Sequence, residues 1–413
     1  MALPESQVPT VVALGAALSA NKGAASMLHA LVDQIDEVAP HVRVVSLSTF
    51  PTEDREVNTK ERLEIGSLTP RQILFPVLPL ALLVWLVRKL GGSGRWLAGL
   101  HPSTRAIKDA TVVADLAGIS FVDGRGFPTL AYNVLMTGIP LLLGTRVVKC
   151  SQALGPFQQP LNRMAARWVL PRLERVVARG SQTEEHLAML GLENAEPGAD
   201  YAFLMEMSED RVRAAEDIVP HTDYVVVSPS SVVKALAAKA GLDYIEIMVD
   251  VVNGLVERTG QHVVILAHSA RPGRPEGRLN DIPVCVEIHQ RVADPQAVTL
   301  IAESLDPEVL RAIISRASCV VTSRFHAMIS ALATATPVLV VGWSHKYAEV
   351  MEEFGLARFV IDYAASGADG VISGAQDLIA NRGSYVEQIE QALPSVRESA
   401  RVSTMALRSA IHD

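Results

Sequence analysis

Arg324 and His326 are the residues whose types and spacing point most directly to chemistry, with only Phe325 between them. They lie between an apolar, β-branched run at 319–322, which predicts a strand, and a helical pattern at 327–335. Backbone N–H groups at a helix N-terminus favour an anion, and an imidazole titrates near neutral pH. We therefore interpret this stretch as the reactive centre of the protein.

The residues around this pair alternate between strand and helix patterns. Ser323 can cap the predicted helix, and Pro337 opens a second apolar run at 338–341 that Gly342 closes. Lys346 follows this second predicted strand and adds another cation. The stretch 318–346 is thus predicted to form a strand, a turn, a helix and a second strand.

The N-terminal part of the chain has a similar arrangement with a glycine in its turn. A buried-strand pattern covers 10–16, and a helix is predicted from about 24 to 38. This order is the usual opening of a doubly wound domain, although a full GxGxxG pattern is absent. Two interpretations remain open: Asn21 and Gly23 face a ligand, or they only form a tight turn between strand and helix.

The other patterns along the chain predict two α/β domains. We predict further strands at 42–47, 116–122, 147–152, 176–179, 224–228 and 262–267, and further helices at 103–110, from 129, and at 163–173, 183–190, 243–258 and 306–316. Residues 208–220 are charged and lack strand patterns, which places the domain boundary there.

The predicted fold class is α/β, with two Rossmann-like doubly wound domains and a cleft between them. The predicted parts are an N-terminal α/β domain at 1–207, a C-terminal α/β domain at 221–368 and a C-terminal helical segment at 369–413. Ligands of such sheets bind beyond the carboxyl ends of the strands. Arg324, His326 and the turn near Gly23 lie at such ends, so they are candidates to face one cleft.

Composition excludes some classes of protein. The 413 residues are 49% hydrophobic, 20% charged and only 5% aromatic, and the formal net charge is -8. An acidic chain without a long basic run argues against nucleic-acid binding. The three cysteines are far apart and fit no zinc or disulfide spacing, so we expect buried free thiols and no metal site. The polar N-terminus does not resemble a signal peptide, and we expect a cytoplasmic protein.

One apolar segment, at 73–90, leaves open where in the cell the protein is located. Its uncharged part, 73–87, contains Pro76 and Pro79 and is short for a spanning helix. Arg88 and Lys89 follow directly. The alternatives are a buried core helix, a helix lying in a membrane interface and a true span. The second alternative predicts peripheral membrane contact, at the cytoplasmic face of the membrane.

Several motifs, in order along the chain, resemble those of the polysaccharide pyruvyl transferase family. Ser323-Arg324-Phe325-His326-Ala327 is similar to the family's S-R-[LF]-H-A motif. The other similar elements are Asn21-Lys22-Gly23, Gln152-Ala153-Leu154-Gly155-Pro156-Phe157, Val177-Ala178-Arg179, Asp200-Tyr201-Ala202-Phe203, Thr336-Pro337-Val338 and Trp343-Ser344-His345-Lys346. The resemblance covers roughly residues 11–360, apart from the apolar segment. Ala24 and Gly180 stand where the family usually has acidic residues, and Trp343 and His345 alter the neighbourhood of Lys346.

The resemblance implies a glycosyltransferase-B-like fold. It also implies transfer of pyruvate from phosphoenolpyruvate onto two hydroxyls of a sugar, in a polysaccharide or glycolipid, giving a cyclic ketal and phosphate. No metal or other cofactor is implied, with phosphoenolpyruvate as a co-substrate. The donor site would belong to the C-terminal domain and the acceptor side to the N-terminal domain.

The same resemblance assigns roles to individual residues. His326 would transfer protons, Arg324 and Lys346 would bind the anionic donor, and Arg179 would be a third cation from the other domain. The remaining candidate substrate-binding residues are Ser323, Asn21, Gly23, Gly155, Asp200 and His268.

Several of these assignments have an alternative. His326 could be a core histidine, Ser323 a helix cap, Gly155 a loop-shaping residue and Asp200 a cap or an orienting group. For the whole chain, one alternative is a nucleotide-sugar glycosyltransferase with the same architecture, although no Glu-x7-Glu-like element is visible. The other is a non-catalytic carbohydrate-binding protein.

Overall fold

A computed structural model describes residues 8–342 and 345–412, which divide into two units. Unit 1 contains residues 8–19, 27–205 and 397–412, and unit 2 contains residues 20–26 and the described part of 206–396. The division differs from the predicted linear domains in two places. Residues 20–26 belong to unit 2, and the segment predicted at 369–413 is shared between the units instead of forming a third part.

Unit 1 is built on a parallel sheet. Its strands are β1 (Thr10–Leu14), β2 (Arg43–Ser48), β3 (Leu63–Ser67), β4 (Val112–Asp115), β5 (Ile119–Ser120), β6 (Arg146–Leu154), β7 (Arg175–Arg179) and β8 (Ala195–Gly198). Their order is β3-β2-β1-β4-β6-β7-β8, with β5 paired to β6. Central strands such as β4 are buried on both faces, which explains their continuous apolar runs.

The strand predicted at 116–122 is wrong in position. The chain instead forms β4, turns, and forms the short β5. The backbone N–H of Ala117 donates to the carboxylate of Asp115 at 3.1 Å, and this local turn ends β4. β3 is another strand of this sheet that the sequence analysis did not predict.

Helices flank the strands of unit 1. They are α1 (Lys22–Val38, with its first turn in unit 2), α2 (Pro51–Val57), α3 (Pro70–Lys89), α4 (Arg95–Ala98), α5 (Pro102–Asp109), α6 (Phe127–Leu143), α7 (Pro160–Val169) and α8 (Ser181–Met189). Helix α3 is interrupted at Phe75, whose backbone is non-helical (φ -144°, ψ 110°) just before Pro76.

The C-terminal residues complete unit 1 through hydrogen bonds to β6 and to the segment after β8. The hydroxyl of Ser403 accepts from the backbone N–H of Ser151 at 3.2 Å. The side chain of Thr404 lies 2.9 Å from the hydroxyl of Tyr201, which is fully buried. These contacts explain why residues 397–412 belong to unit 1 although they are far from it in sequence.

Unit 2 has a second parallel sheet with the order β11-β10-β9-β12-β13-β14. The strands are β9 (Tyr224–Ser228), β10 (His262–Leu266), β11 (Val298–Ile301), β12 (Cys319–Thr322), β13 (Val338–Val341) and β14 (Val360–Ile361). This is the strand order of a doubly wound Rossmann sheet, and its direction reverses between β9 and β12. The strands predicted at 224–228, 319–322 and 338–341 are confirmed residue for residue.

Helices alternate with the strands of unit 2 along the chain. They are α9 (Glu209–Glu216), α10 (Ser231–Lys239), α11 (Tyr244–Thr259), α12 (Ile282–Arg291), α13 (Pro307–Ser315), α14 (Phe325–Ala333), α15 (His345–Glu353), α16 (Tyr363–Ala380) and α17 (Arg382–His412, which ends in unit 1). The three cysteines are buried and free, as predicted.

Candidate active site

The candidate site lies at the carboxyl ends of β10 and β12 in unit 2. His268 follows β10 after one intervening residue, and Arg324 and His326 follow β12. β9 and β12 are the strands at which the order of the sheet reverses. This switch point is where open α/β sheets bind ligands, because the loops on either side diverge there.

His326 lies in the first turn of α14, and this helix begins two residues earlier than the pattern predicts. The helix begins at Phe325, and it ends at Ala333 because Ala335 adopts a left-handed conformation (φ 53°). The Nδ1, Cγ and Cε1 atoms of His326 lie directly against Gly23. A Cβ built on Gly23 would lie 2.0 Å from Nδ1 and 2.4 Å from each of the two carbons. The structure therefore brings the N-terminal turn to His326, with a backbone approach that only glycine permits.

Asn21 holds this turn in place. Its side-chain oxygen accepts from the backbone N–H of Gly23 at 2.9 Å, and its carbonyl accepts from Ala25 at 2.9 Å. These are the bonds of a helix N-cap, so α1 starts at Lys22 instead of near 24. Asn21 thus shapes the turn against His326, whatever else it contacts.

His268 is a buried imidazole surrounded by positively charged groups. It is 4% exposed, and its pKa is lowered from 6.5 to about 3, with burial as the largest cause. The other causes of this lowering are His326, Arg324, Lys22 and Arg311, because each is positive in its charged form. His268 is therefore neutral at physiological pH, and the positive field around it favours an anion.

Lys22 and Arg311 are site residues that the sequence analysis missed. Both are buried, although lysine and arginine are rarely so. Lys22 stands between Asn21 and Gly23, in a motif that resembles one of the family, and this position could have identified it as a site residue from the sequence. Arg311 lies on α13, where every residue from Pro307 to Ile314 is buried. This buried helix carries two charged side chains, Glu308 and Arg311, and the burial of such charges indicates specific interactions.

Arg324 has a different contact from the predicted one. Its Nε donates to the carboxylate of Asp281 at 2.6 Å, and its Nη2 donates to the other oxygen of the same group. Both terminal nitrogens also donate to the carbonyl of Arg278 at 3.2 Å. The open fork expected for an anionic substrate is thus occupied by Asp281, which is fully buried. Sequence reasoning missed Asp281, which stands just before a proline-containing helix and looks like an ordinary cap.

Ser323 is not the helix cap, because Arg324 occupies that position. The Ser323 hydroxyl lies 2.8 Å from the hydroxyl of Tyr244, and its carbonyl accepts from Tyr347 at 3.0 Å. Burial raises the pKa of Tyr347 to about 12, so this phenol keeps its proton. Ser323 therefore anchors the turn that carries Arg324 and His326.

Lys346 is placed beside the same turn through aromatic contacts. Its Nζ lies 5.3 Å from the ring centroid of Phe325 and 5.1 Å from that of Tyr347. The Phe325 ring in turn packs edge-on against His326, with centroids 5.3 Å apart. The preceding residues of the predicted motif, Trp343 and Ser344, lie outside the described residues.

The remaining candidates belong to unit 1. Arg179 and Asp200 form an ion pair of 2.6 Å with both side chains buried, and Asp200 also accepts from the backbone N–H of Ala202 at 2.9 Å. Gly155 has φ 86°, and a Cβ there would lie 2.6 Å from Nδ1 of His186. Asp200 thus caps a short turn and orients Arg179, and Gly155 shapes a loop against His186.

Comparison with known proteins agrees with the resemblance of the motifs. The profile of a family described as polysaccharide pyruvyl transferase matches residues 21–345. The amylovoran biosynthesis protein AmsJ of Erwinia amylovora is 20% identical over 410 residues, covering 92% of this chain and 94% of that protein.

Solved structures show the same two-unit architecture. The UDP-GlcNAc 2-epimerase of Neisseria meningitidis, bound to UDP-GlcNAc, has a TM-score of 0.62 at 10% identity, covering 96% of this chain and 99% of that one. A ugt transferase from Siraitia grosvenorii in complex with UDP has a TM-score of 0.57 at 12% identity, covering 98% and 100%. At such identities the likeness concerns the fold alone, and it confirms two Rossmann-like units of the glycosyltransferase-B type.

Proposed function

This chain belongs to the polysaccharide pyruvyl transferase family, and from that premise we propose that it transfers pyruvate from phosphoenolpyruvate to a sugar. Family membership supports a transferase role in polysaccharide modification. The proposal adds the donor, the two acceptor hydroxyls and the cyclic ketal product. The acceptor is a hexose-containing polysaccharide or glycolipid.

The positive field around His268 is the observation that carries the proposal. Phosphoenolpyruvate holds a phosphate and a carboxylate on a three-carbon skeleton, so its site needs several cations close together. Lys22, Arg311 and His326 supply such groups around one buried imidazole. The N-terminus of α14 adds backbone N–H groups at the same place.

The roles within this site follow from the contacts. Lys22 and Arg311 bind the donor's anionic groups and stabilise charge on the departing phosphate. Arg324 contributes through position, because its pairing with Asp281 fixes the turn that carries His326. Neutral His268 can donate one hydrogen bond to the anion through its ring N–H.

The reaction has two bond-forming steps at C2 of the donor. In the first, a sugar hydroxyl oxygen bonds to C2 and loses its proton while a proton is added to C3, which converts the methylene to a methyl group. In the second, another hydroxyl oxygen bonds to C2, the C2–O bond to phosphate breaks, and the hydroxyl proton leaves. We assign His326 as the group that moves these protons, because an imidazole can both accept and donate near neutral pH.

The activity is tested by incubating purified protein with phosphoenolpyruvate and a panel of sugars with suitably placed hydroxyl pairs. We expect phosphate release that depends on the acceptor, together with a new ketal methyl signal in the product's proton NMR spectrum. Consumption of nucleotide sugars without phosphoenolpyruvate turnover would overturn the proposal in favour of a glycosyltransferase. Acceptor binding without turnover of either donor would indicate a carbohydrate-binding protein.

His326→Ala is the matching variant. We expect transfer to fall by about 10²–10⁴-fold, the usual contribution of a positioned acid–base group. His221→Ala is the control, because His221 is exposed in a loop of the same unit. Wild-type turnover in His326→Ala would remove His326 from the mechanism.

A further inference from the structure

Helix α3 has two apolar faces, and only one of them is covered. Ile73, Val77, Ala81 and Val84 are buried in the core of unit 1. The opposite face presents large apolar side chains to solvent, and only 22% of the most apolar 18-residue window of the helix is buried. The exposed members include Leu74, Phe75, Leu82, Leu83, Trp85, Leu86 and Leu90.

A neighbouring helix extends this apolar face. Helix α7 exposes Leu161, Met164 and Trp168 and buries its other side. A groove lined by Trp85, Lys89, Leu142, Trp168 and Arg172, among others, joins the two helices within unit 1. The bilayer-facing surface, as we call the exposed faces of α3 and α7 with this groove, is therefore continuous.

The charged side chains that line the groove and the adjoining side of α7 are basic, whereas the whole chain is acidic. Residues 65–108 and 124–173, which contain α3 and α7, hold twelve Lys or Arg, of which Lys149 is buried away from this surface, and no Asp or Glu. The chain as a whole has a formal net charge of -8, so the remaining residues together carry -20. Arg163, Arg167 and Arg172 lie on or beside α7, next to its exposed apolar side chains.

We propose that the bilayer-facing surface docks unit 1 onto an anionic phospholipid bilayer. Apolar side chains rimmed by basic ones match the acyl and headgroup layers of such a bilayer. Three of the four tryptophans of the chain, Trp85, Trp96 and Trp168, are large exposed side chains of unit 1, and tryptophan is enriched at membrane interfaces. The inference does not depend on the proposed activity, because binding alone tests it.

The helix lies on the membrane and does not cross it. α3 is long and apolar enough for a span by length and composition. Its stripe from Ile73 to Val84, however, packs into the core of unit 1, and a span would expose that stripe to lipid and open the core. Of the three alternatives for 73–90, the structure therefore favours interface contact, with a partly buried helix as its basis.

Vesicle binding of the full-length protein tests the proposal. We expect co-sedimentation with vesicles of phosphatidylcholine and phosphatidylglycerol, weakened by added salt, and at most weak binding to phosphatidylcholine alone. Tryptophan emission should shift to shorter wavelength on binding. Equal binding to both vesicle types, or no binding to either, would overturn the proposal.

Two variants separate the basic and apolar contributions. Arg163→Glu with Arg167→Glu should weaken binding by at least about tenfold, since each change replaces attraction to the anionic surface by repulsion. Leu83→Ser with Leu86→Ser should weaken it by a similar factor. All four side chains are exposed, so we expect these variants to fold.

Matched controls lie on unit 2. Lys239→Glu and Leu236→Ser change an exposed charge and an exposed apolar residue there, and both should bind as the wild type does. Two other outcomes would contradict the proposal. One is a dimer in solution that Leu83→Ser with Leu86→Ser dissociates, without any vesicle binding. The other is protein that resists extraction from membranes at alkaline pH, which would indicate a span.

Discussion

His268 shows how one buried side chain can report on the site. Its pKa is lowered by burial and by positive neighbours, and only the second cause can be changed by a ligand. An anion bound among Lys22, Arg311 and His326 would offset their charge. The imidazole is therefore expected to respond to the donor even if it takes no part in the chemistry.

We predict that saturating phosphate raises the pKa of His268 above its value of about 3 in the free protein. The added negative charge favours the imidazolium form. NMR of ¹⁵N-labelled histidine, with His268→Asn to assign the signal, measures the change. An unchanged His268 titration in protein that has bound phosphate would place the anion elsewhere.

The lowered pKa of His268 in the folded protein also predicts a dependence of stability on pH. The folded-state pKa of about 3 lies below the ordinary 6.5, so between these values the unfolded chain binds more protons. His268 therefore contributes stability above pH 6.5, and this contribution is lost as the pH falls towards 3. We expect wild-type protein to lose a few kcal/mol more than His268→Asn between pH 7 and pH 4, in urea unfolding at each pH. Parallel losses in the two proteins would contradict this.

Gly23→Ala tests the contact between the N-terminal turn and the imidazole. The new Cβ cannot occupy a position 2.0 Å from Nδ1 of His326, so the ring must move. We expect transfer to fall by about 10²-fold, because misplacement of a catalytic group by about 1 Å has such an effect. Gly383→Ala, at an open position in unit 2 whose φ is not positive, is the stability control. Unchanged kcat in Gly23→Ala would show that the position of His326 is not critical.

At the scale of elements, β4 and β6 are joined by a buried polar cluster. Lys149 is fully buried and donates to the carboxylate of Asp115, and Gln152 donates to the same carboxylate at 2.9 Å. Burial raises the pKa of Asp115, but the charge and hydrogen bond of Lys149, together with hydrogen bonds from Ala117 and Gln152, outweigh this and leave that pKa lowered. The Gln152 motif, which the family resemblance singled out, thus serves this cluster.

We predict that Lys149→Met destabilises the protein by about 3–5 kcal/mol, because it leaves Asp115 as a buried charge without its cation. Combining it with Asp115→Asn should recover part of the loss. Arg175→Met removes an exposed pair with Glu196 in the same sheet and should cost less than about 1 kcal/mol. Denaturant unfolding measures all three, and equal effects of Lys149→Met and Arg175→Met would refute the assignment.

At the scale of the whole molecule, each unit includes a segment distant from it in sequence. Residues 20–26 belong to unit 2, and residues 397–412 belong to unit 1. The first of these segments places Lys22 and Gly23 beside groups that are more than 240 residues away in sequence.

This arrangement predicts which segments respond to ligand together. Adding phosphoenolpyruvate should slow amide exchange in residues 20–26, in the turn after β10 and in the first turn of α14. Strand β3, at the edge of the other sheet, should be unaffected. Hydrogen–deuterium exchange with mass spectrometry measures this. Protection of the other two segments without 20–26 would show that the N-terminal turn is not part of the donor site.

The sequence alone determined the family, the fold class and most strand positions. Parallel strands buried on both faces have continuous β-branched runs, and such runs can be recognised without knowledge of their neighbours, as β9, β12 and β13 show. Motifs in a fixed order likewise identify a family, because they can be recognised from the sequence without knowledge of the contacts they make. His326 and Gly23 were also found as candidates from local sequence.

Only the tertiary structure decided which of these residues meet. The pairing of Arg324 with Asp281, and the positive groups around His268, join residues that are far apart along the chain. The exposure of one face of α3 likewise could not be predicted from the sequence, because both of its faces are apolar and only packing shows which one is covered. Sequence periodicity reports local preference, whereas charge pairing and burial are set by non-local contacts.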